Sequence, residues 1–161
     1  MRIRIYTDGA CSVNPGPGGW GMVINTDLKN IKKSGGEPMT TNNRMELRAV
    51  IEAYKEILRR TKAGSNIQFD IFSDSAYVVN SIQCGWLKNW ENNCWQTKKG
   101  NDVKNRDLWE KLQSLMEEVK SRGIPVEIHK VKGHDGNTFN ELADELAREE
   151  SIKMKEVAGN G

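Results

Sequence analysis

Cysteine is scarce in this chain of 161 residues. Cys11, Cys84 and Cys94 are odd in number and show no CxxC spacing, which excludes a disulfide framework and a cysteine-based zinc cluster and leaves ordinary reduced thiols. Long apolar runs are missing too: none approaches the roughly 18 residues that a bilayer span requires. The N-terminus MRIRIYTDGA enters an alternating pattern at once, without the apolar stretch and cleavage site of a secretory signal, so a cytoplasmic protein is expected. Neither charge sign dominates. Twenty-four Lys+Arg face 22 Asp+Glu, and a net charge of +2 is too small to announce a nucleic-acid binder by itself. What is present is an ordinary globular composition, with 37% hydrophobic and 29% charged residues. At this length folding buries roughly two-thirds of the unfolded chain's surface, so one core suffices without a covalent or metal staple. A single domain over residues 1–155 is expected, with 156–161 as a disordered tail.

Apolar periodicity orders the chain. Residues 2–8 alternate, with Ile3 and Ile5 on one face and Arg4, Tyr6 and Asp8 on the other, and the strand is expected to stop at Gly9. The stretch NPGPGG (14–19) reads as irregular, Trp20 to Ile24 as a second strand and 31–36 as a weaker third. TTNNRMELRAVIEAYKEILRR begins with capping residues and carries Val50, Ala53, Tyr54, Ile57 and Leu58 at helical spacing. Residues 67–74 form a strand ending in Asp74, SAYVVNSI a short helix, 107–122 an amphipathic helix and 126–131 a strand. A last helix starts near Asn140. Hairpin strands followed by alternating helices and strands predict an α/β fold, a mixed five-stranded sheet with helices on both faces.

Four acids stand where apolar residues belong. Asp8 and Asp74 end two strands, and ligand sites in α/β sheets collect at carboxyl ends of strands. Glu46 precedes Val50, Ala53 and Ile57 by four, seven and eleven residues, so it lies on the apolar face of its helix. Asp144 lies between Ala143 and Ala147 and shares a face with Asn140. Each has a plainer reading alone: turn former for Asp8, first-turn carboxylate favoured by the helix dipole for Glu46, solvated acid for Asp144. Together, four converging carboxylates repel unless a cation lies between them. Oxygen donors select Mg²⁺ or Mn²⁺ over zinc. Carboxylates serving two ions about 4 Å apart form the clamp used for in-line attack on phosphodiesters, which points to nuclease chemistry.

These residues carry a resemblance. YTDGACSVNPGPGGWG, TTNNRMELRAV, IFSDSAYV, WLKNW with a later VKNRDLW, and VKGHDGNTFNELADELAR occur in the order of type 1 ribonuclease H of bacteria, and the chain resembles that family over roughly residues 2–150. The resemblance implies a ribonuclease H-like fold and an endonuclease that cuts the RNA strand of RNA–DNA hybrids, leaving 5′-phosphate and 3′-hydroxyl ends. It implies two divalent ions, Mg²⁺ with Mn²⁺ as substitute, on Asp8, Glu46, Asp74 and Asp144. His134, between Gly133 and Gly136, matches the family's mobile-loop histidine, whose implied role is proton transfer or product release. Cys11, Asn14, Asn42 and Asn43 match residues facing the minor groove. Thr41 and Asn105 match a phosphate pocket, and Trp86 and Trp90 a channel for deoxyribose. Asn14 also suits a turn before Pro15, and Asn42 a helix cap. The segment from Trp86 to Arg106 resembles the basic handle of bacterial members, where Lys98, Lys99 and other lysines supply salt-dependent affinity. Trp20, Trp95 and Trp109 are expected to be packed.

The chain departs from the pattern at Met39, where many relatives have Arg, and at Ala76, where many have Gln. A monomer is expected, with a single-strand DNA-binding protein as a candidate partner. Two other readings share parts of the pattern: a DNA-cutting enzyme of the same fold, opposed by TTNNRMEL and the WLKNW handle, and a hybrid-binding protein with a decayed site, opposed by the four carboxylates.

Overall fold

The computed structural model describes residues 1–132 and 138–159. In chain order the elements are β1 (Arg2–Cys11), β2 (Gly16–Asn25), β3 (Asn30–Thr40), α1 (Asn42–Arg60), β4 (Gln68–Ser73), α2 (Ala76–Gln83), α3 (Trp86–Asn92), α4 (Arg106–Ser121), β5 (Val126–Lys130) and α5 (Thr138–Gly159). The strands form the mixed five-stranded sheet that the sequence predicts, and their order in it is β3-β2-β1-β4-β5. β1 runs antiparallel to β2 and parallel to β4. Helix α5 packs on β1, β2 and β3, while α1 covers β1, β2 and β4 and is backed by α4. Among the described residues, no helix is long and apolar enough to cross a membrane.

The alternation along β1 separates the two sides. Ile3 and Ile5 join the main core with Trp20, Met22 and Ile24 of β2 and Met45, Val50 and Ile57 of α1. Tyr6 turns to the smaller cluster with Val23 and Ala143. On α4, Trp109, Leu112, Leu115 and Val119 are buried, and Trp109 Nε1 donates to the Tyr77 hydroxyl at 2.8 Å. Thr41 caps α1 by accepting the Arg44 amide, so the cap is Thr41 rather than Asn42.

Three strand boundaries and the C-terminus differ from expectation. β1 continues past Gly9 to Cys11 because its pairing with β2 persists through Cys11↔Gly18, although pairing with β4 ends at Tyr6↔Phe72. β2 begins at Gly16, inside the stretch expected to be irregular. Its register shifts between Gly16 and Gly18, and Pro17, which has no amide to donate, sits at that shift. β3 extends through Thr40 because its ladder with β2 runs from Asn25↔Asn30 to Gly16↔Thr40. At the end of the chain α5 carries on to Gly159, so residues 156–159 of the expected tail are helical.

One buried acid supports the sheet edge. Glu56 is 7% exposed and is held by Lys33 of β3 and by Arg59 and Arg60 on its own helix. Burial pushes its carboxyl up, but Arg59, Lys33 and Arg60 outweigh burial and bring it down to about 2. A lowered folded-state value adds stability above the ordinary carboxylate range, and that stability is lost as pH falls from about 4.5 toward 2. Glu56→Gln is therefore expected to cost roughly 2–3 kcal/mol at pH 7. In denaturant titrations the difference from wild type should shrink below pH 4.5; a pH-independent difference would refute the ionic origin.

Candidate active site

The parallel ladder between β1 and β4 ends at Tyr6↔Phe72, and two residues beyond that pair stand Asp8 and Asp74. Adjacent parallel strands thus deliver two carboxylates to one end of the sheet. Gly9 delivers the third: a Cβ there would lie 2.3 Å from the Glu46 amide nitrogen, so only a residue without a side chain lets α1 rest on β1 at Met45 and Glu46, which places Glu46 beyond the first turn rather than in it. That contact sets Glu46 beside Asp8. Asp8, Glu46 and Asp74 each offer an oxygen within 4.8 Å of the others. Asp144 comes from the opposite face on α5, near enough to help raise the Asp8 carboxyl but outside the 4.8 Å group, and its Oδ2 pairs with Arg148 Nε at 3.0 Å.

Burial and like charge dominate the electrostatics. Burial is the main reason the Asp8 carboxyl rises to about 7, helped by the charge of Asp74 and by Asp144, against the pull of the Glu46 bond and the Gly9 amide. The Glu46 carboxyl is also pushed well above its usual range, by burial first and then by the charges of Asp8 and Asp74. The cluster therefore holds protons near neutral pH or a compensating cation. Glu46 Oε2 is sealed from solvent and has no hydrogen-bond donor. A buried acceptor without a donor costs about 1–3 kcal/mol, and a divalent ion would satisfy it. The donors are all carboxylate oxygens, so the residues present fit Mg²⁺ or Mn²⁺.

The other expected contact residues flank this cluster. Asn14 Oδ1 accepts the Asn42 amide at 3.1 Å, joining the β1–β2 turn to the start of α1, with Asn42 and Asn43 exposed beside it. Cys11 Sγ donates to the Val13 carbonyl at 2.9 Å. Asn105 adopts a left-handed backbone, φ 61°, and its Nδ2 donates to the Tyr77 hydroxyl at 3.2 Å. Thr41 and Asn105 are bridged by a residue the motif reading passed over. The Arg44 amide bonds Thr41 Oγ1, its guanidinium reaches Asn105 Oδ1 at 3.4 Å, and both terminal nitrogens grip Asp107 at 3.0 Å. Its position three residues after the cap was visible in the sequence; its partner 63 residues away was not.

Trp86 is 44% exposed, whereas Trp90 meets Trp109 edge-on with ring centroids 5.5 Å apart. Both line a groove of about 760 Å³ with Asn89, Asn93, Gln96, Thr97 and Lys98. Positions 86, 89, 90 and 93 share one face of a helix, a spacing from which Asn89 and Asn93 could have been named. Lys99 is exposed next to Lys98 in the chain. Trp20 and Trp109 are buried as expected; Trp95 is only half-buried, with the Arg106 guanidinium 5.6 Å from its ring centroid. Met39 and Ala76 are exposed. His134 lies outside the described residues.

Comparison with known proteins gives one consistent result. The family model described as RNase H matches residues 1–152. A protein of Syntrophomonas wolfei named Ribonuclease H is 51% identical over 146 residues, covering 91% of this chain and 93% of its own length. The Ribonuclease H of Caldicellulosiruptor saccharolyticus is 45% identical over 154 residues, covering 95% of this chain and 98% of its own length. Among solved structures, LC9-RNase H1, a type 1 RNase H with the type 2 active-site motif, matches with a TM-score of 0.76 at 30% identity, over 95% of this chain and 73% of that one. LC11-RNase H1 in complex with an RNA/DNA hybrid matches with a TM-score of 0.69 at 26% identity, over 94% of this chain and 97% of that one.

Proposed function

Because this chain belongs to the ribonuclease H family, we propose that it cleaves the RNA strand of RNA–DNA hybrids by hydrolysis assisted by two divalent ions, leaving 5′-phosphate and 3′-hydroxyl ends. The observation that carries this reading is the carboxylate cluster of buried Asp8 with half-buried Glu46 and Asp74, in which Glu46 Oε2 lacks any donor. It is supported by the hybrid bound to the LC11 relative.

In this reading Asp8, Glu46, Asp74 and Asp144 hold the ions, most simply Mg²⁺. When bound, such ions activate the attacking water and stabilise the leaving oxygen. The protein's own groups locate the substrate. Asn14, Asn42, Asn43 and Cys11 present short polar groups suited to 2′-hydroxyls across a shallow minor groove. Thr41 and Asn105, held together by Arg44, are assigned to a phosphate of the DNA strand. Trp86 offers a flat apolar face to a deoxyribose, and Lys98 and Lys99 attract the backbone without reading bases. His134 is assigned to proton transfer or product release.

The test is a gel assay of end-labelled RNA–DNA hybrid, double-stranded RNA, double-stranded DNA and single-stranded RNA, each with Mg²⁺, Mn²⁺ or EDTA. Internal cuts in the RNA of the hybrid alone, lost in EDTA, are expected. Cleavage of double-stranded DNA would favour the DNA-cutting alternative, and a gel shift without cleavage a binding protein. Trp86→Ala should raise KM for hybrid roughly tenfold with kcat nearly unchanged, since covering its apolar face with a sugar contributes on the order of 1–2 kcal/mol. Equal KM values would remove Trp86 from the interface.

A further inference from the structure

Away from the carboxylate cluster, the same face of the sheet carries a second group of ligating atoms. Asp70 on β4 pairs in register with Glu127 on β5, and His129 follows two residues after Glu127 on the same side. Asp70, Glu127 and His129 each offer one atom, and the three lie within 4.8 Å of one another. His129 Nε2 stands 2.9 Å from Asp70 Oδ1 and 3.7 Å from Glu127 Oε2. Two ligands held about 2.1 Å from one ion are separated by about 3.0 Å at a right angle and about 3.6 Å at 120°. Both spacings from His129 Nε2 lie close to these values, and Glu127, whose side chain is exposed, can adjust to complete the set.

The surroundings make this a built position. Asp70 is 2% exposed, a buried carboxylate fixed by the ladder, and Arg2 Nε takes its other oxygen, Oδ2, at 3.5 Å. Oδ1 is thus left to the imidazole. The His129 ring is held by stacking on Phe72, with centroids 5.0 Å apart, and Phe72 stacks on Tyr6 at 4.8 Å. Helix α5 covers β1 to β3, and at the β5 end of this face His129 and Glu127 reach solvent, so an ion has an entry path. The donor chemistry differs from that of the first cluster: an imidazole nitrogen with two carboxylates suits Zn²⁺, Co²⁺ or Ni²⁺, whereas oxygens alone suit Mg²⁺. Asp70 lies four residues before Asp74, about 13 Å along the strand, so the two groups are separate sites.

We propose that Asp70, Glu127 and His129 form a site for a borderline first-row divalent cation such as Zn²⁺, bridging β4 and β5 and independent of the carboxylate cluster. The chain has two histidines, His129 and His134, so imidazole ¹⁵N spectra of the full chain resolve the question. Zn²⁺ is titrated into labelled protein in excess Mg²⁺, with resonances assigned through His129→Gln. The His129 Nε2 signal is expected to shift and saturate at one equivalent. Glu127→Gln alters an exposed side chain, so folding is not at risk, and should weaken the response at least roughly tenfold, whereas Asp8→Asn should leave it unchanged. A response confined to His134, no His129 response at several-fold excess of Zn²⁺, or equal responses from Glu127→Gln and wild type would each overturn the proposal.

Discussion

Asp8→Asn is expected to lower hybrid cleavage by at least about a thousandfold and, at the same time, to make the metal-free protein more stable. The loss of activity follows from removing a carboxylate that the other acids cannot replace in a cluster this confined; more than about 4 kcal/mol is expected here, at or above the top of the roughly 3–4 kcal/mol that a single interaction with the reacting centre commonly contributes, because a ligand to the ions is lost. The gain in stability follows from the raised Asp8 carboxyl. A group with an ordinary value near 3.8 that stands at about 7 when folded binds its proton more tightly in the native state. Its contribution is fully favourable below the unfolded value and is lost as pH rises through about 7. Above that pH the wild type carries the full repulsion among Asp8, Glu46 and Asp74, and Asn does not. The expected gain at pH 8 is on the order of 2 kcal/mol, or roughly 4–8 °C in Tm for a chain of this size. It should shrink toward pH 5, and shrink again when Mg²⁺ is added, because bound ions relieve the repulsion in the wild type. Thermal melts at pH 5 and 8, with and without Mg²⁺, check all three statements. Unchanged turnover in the variant would remove Asp8 from the site, and equal melting temperatures throughout would refute the burial argument.

Gly21→Ala is the second large effect, and it connects the fold to the site. Gly21 pairs with Asp8 across the β1–β2 ladder and faces α5. A Cβ at this position would lie 2.4 Å from the Ala143 carbonyl oxygen and 2.7 Å from Leu146 Cβ. The first of these is helix backbone, so α5 itself must move away from the sheet. Such overpacking costs typically 1–3 kcal/mol, and about 3 is expected here because no flexible side chain can absorb it. Asp144 follows Ala143 directly, so the displacement also carries Asp144 away from Asp8. A shift near 1 Å in such a group can cost about a hundredfold, which should fall on kcat rather than KM. Gly19→Ala is the companion variant. It meets Ala147 and Ser151, one turn farther along α5, and should destabilise comparably while costing less kcat. Equal losses of kcat in the two variants would argue against a specific effect on Asp144.

Much of this was legible in the chain itself. Periodicity marked α1 because Val50, Ala53 and Ile57 must share a buried face, and it marked Glu46 because an acid on that face is out of place. The order of hairpin strands and alternating helices determined a mixed sheet with helices, and the motif set determined the family. Local rules failed where pairing overrode them. Glycine- and proline-rich residues became the start of β2 because β3 pairs with it from Gly16 and β1 from Gly18, and β1 outran Gly9 because β2 alone pairs with it as far as Cys11.

Tertiary structure alone decided what depends on contact across long separations. That Asp8, Glu46 and Asp74 meet within 4.8 Å follows from the parallel pairing of β1 with β4 and from the absence of a side chain at Gly9. The grip of Arg44 on Asp107 and the meeting of Asp70 with His129 and Glu127 likewise arise from packing and register. A sequence encodes which faces are buried through local spacing, because burial repeats with the period of the element. Which faces then touch is a property of the whole chain's packing, and the electrostatics of the site follows from that packing.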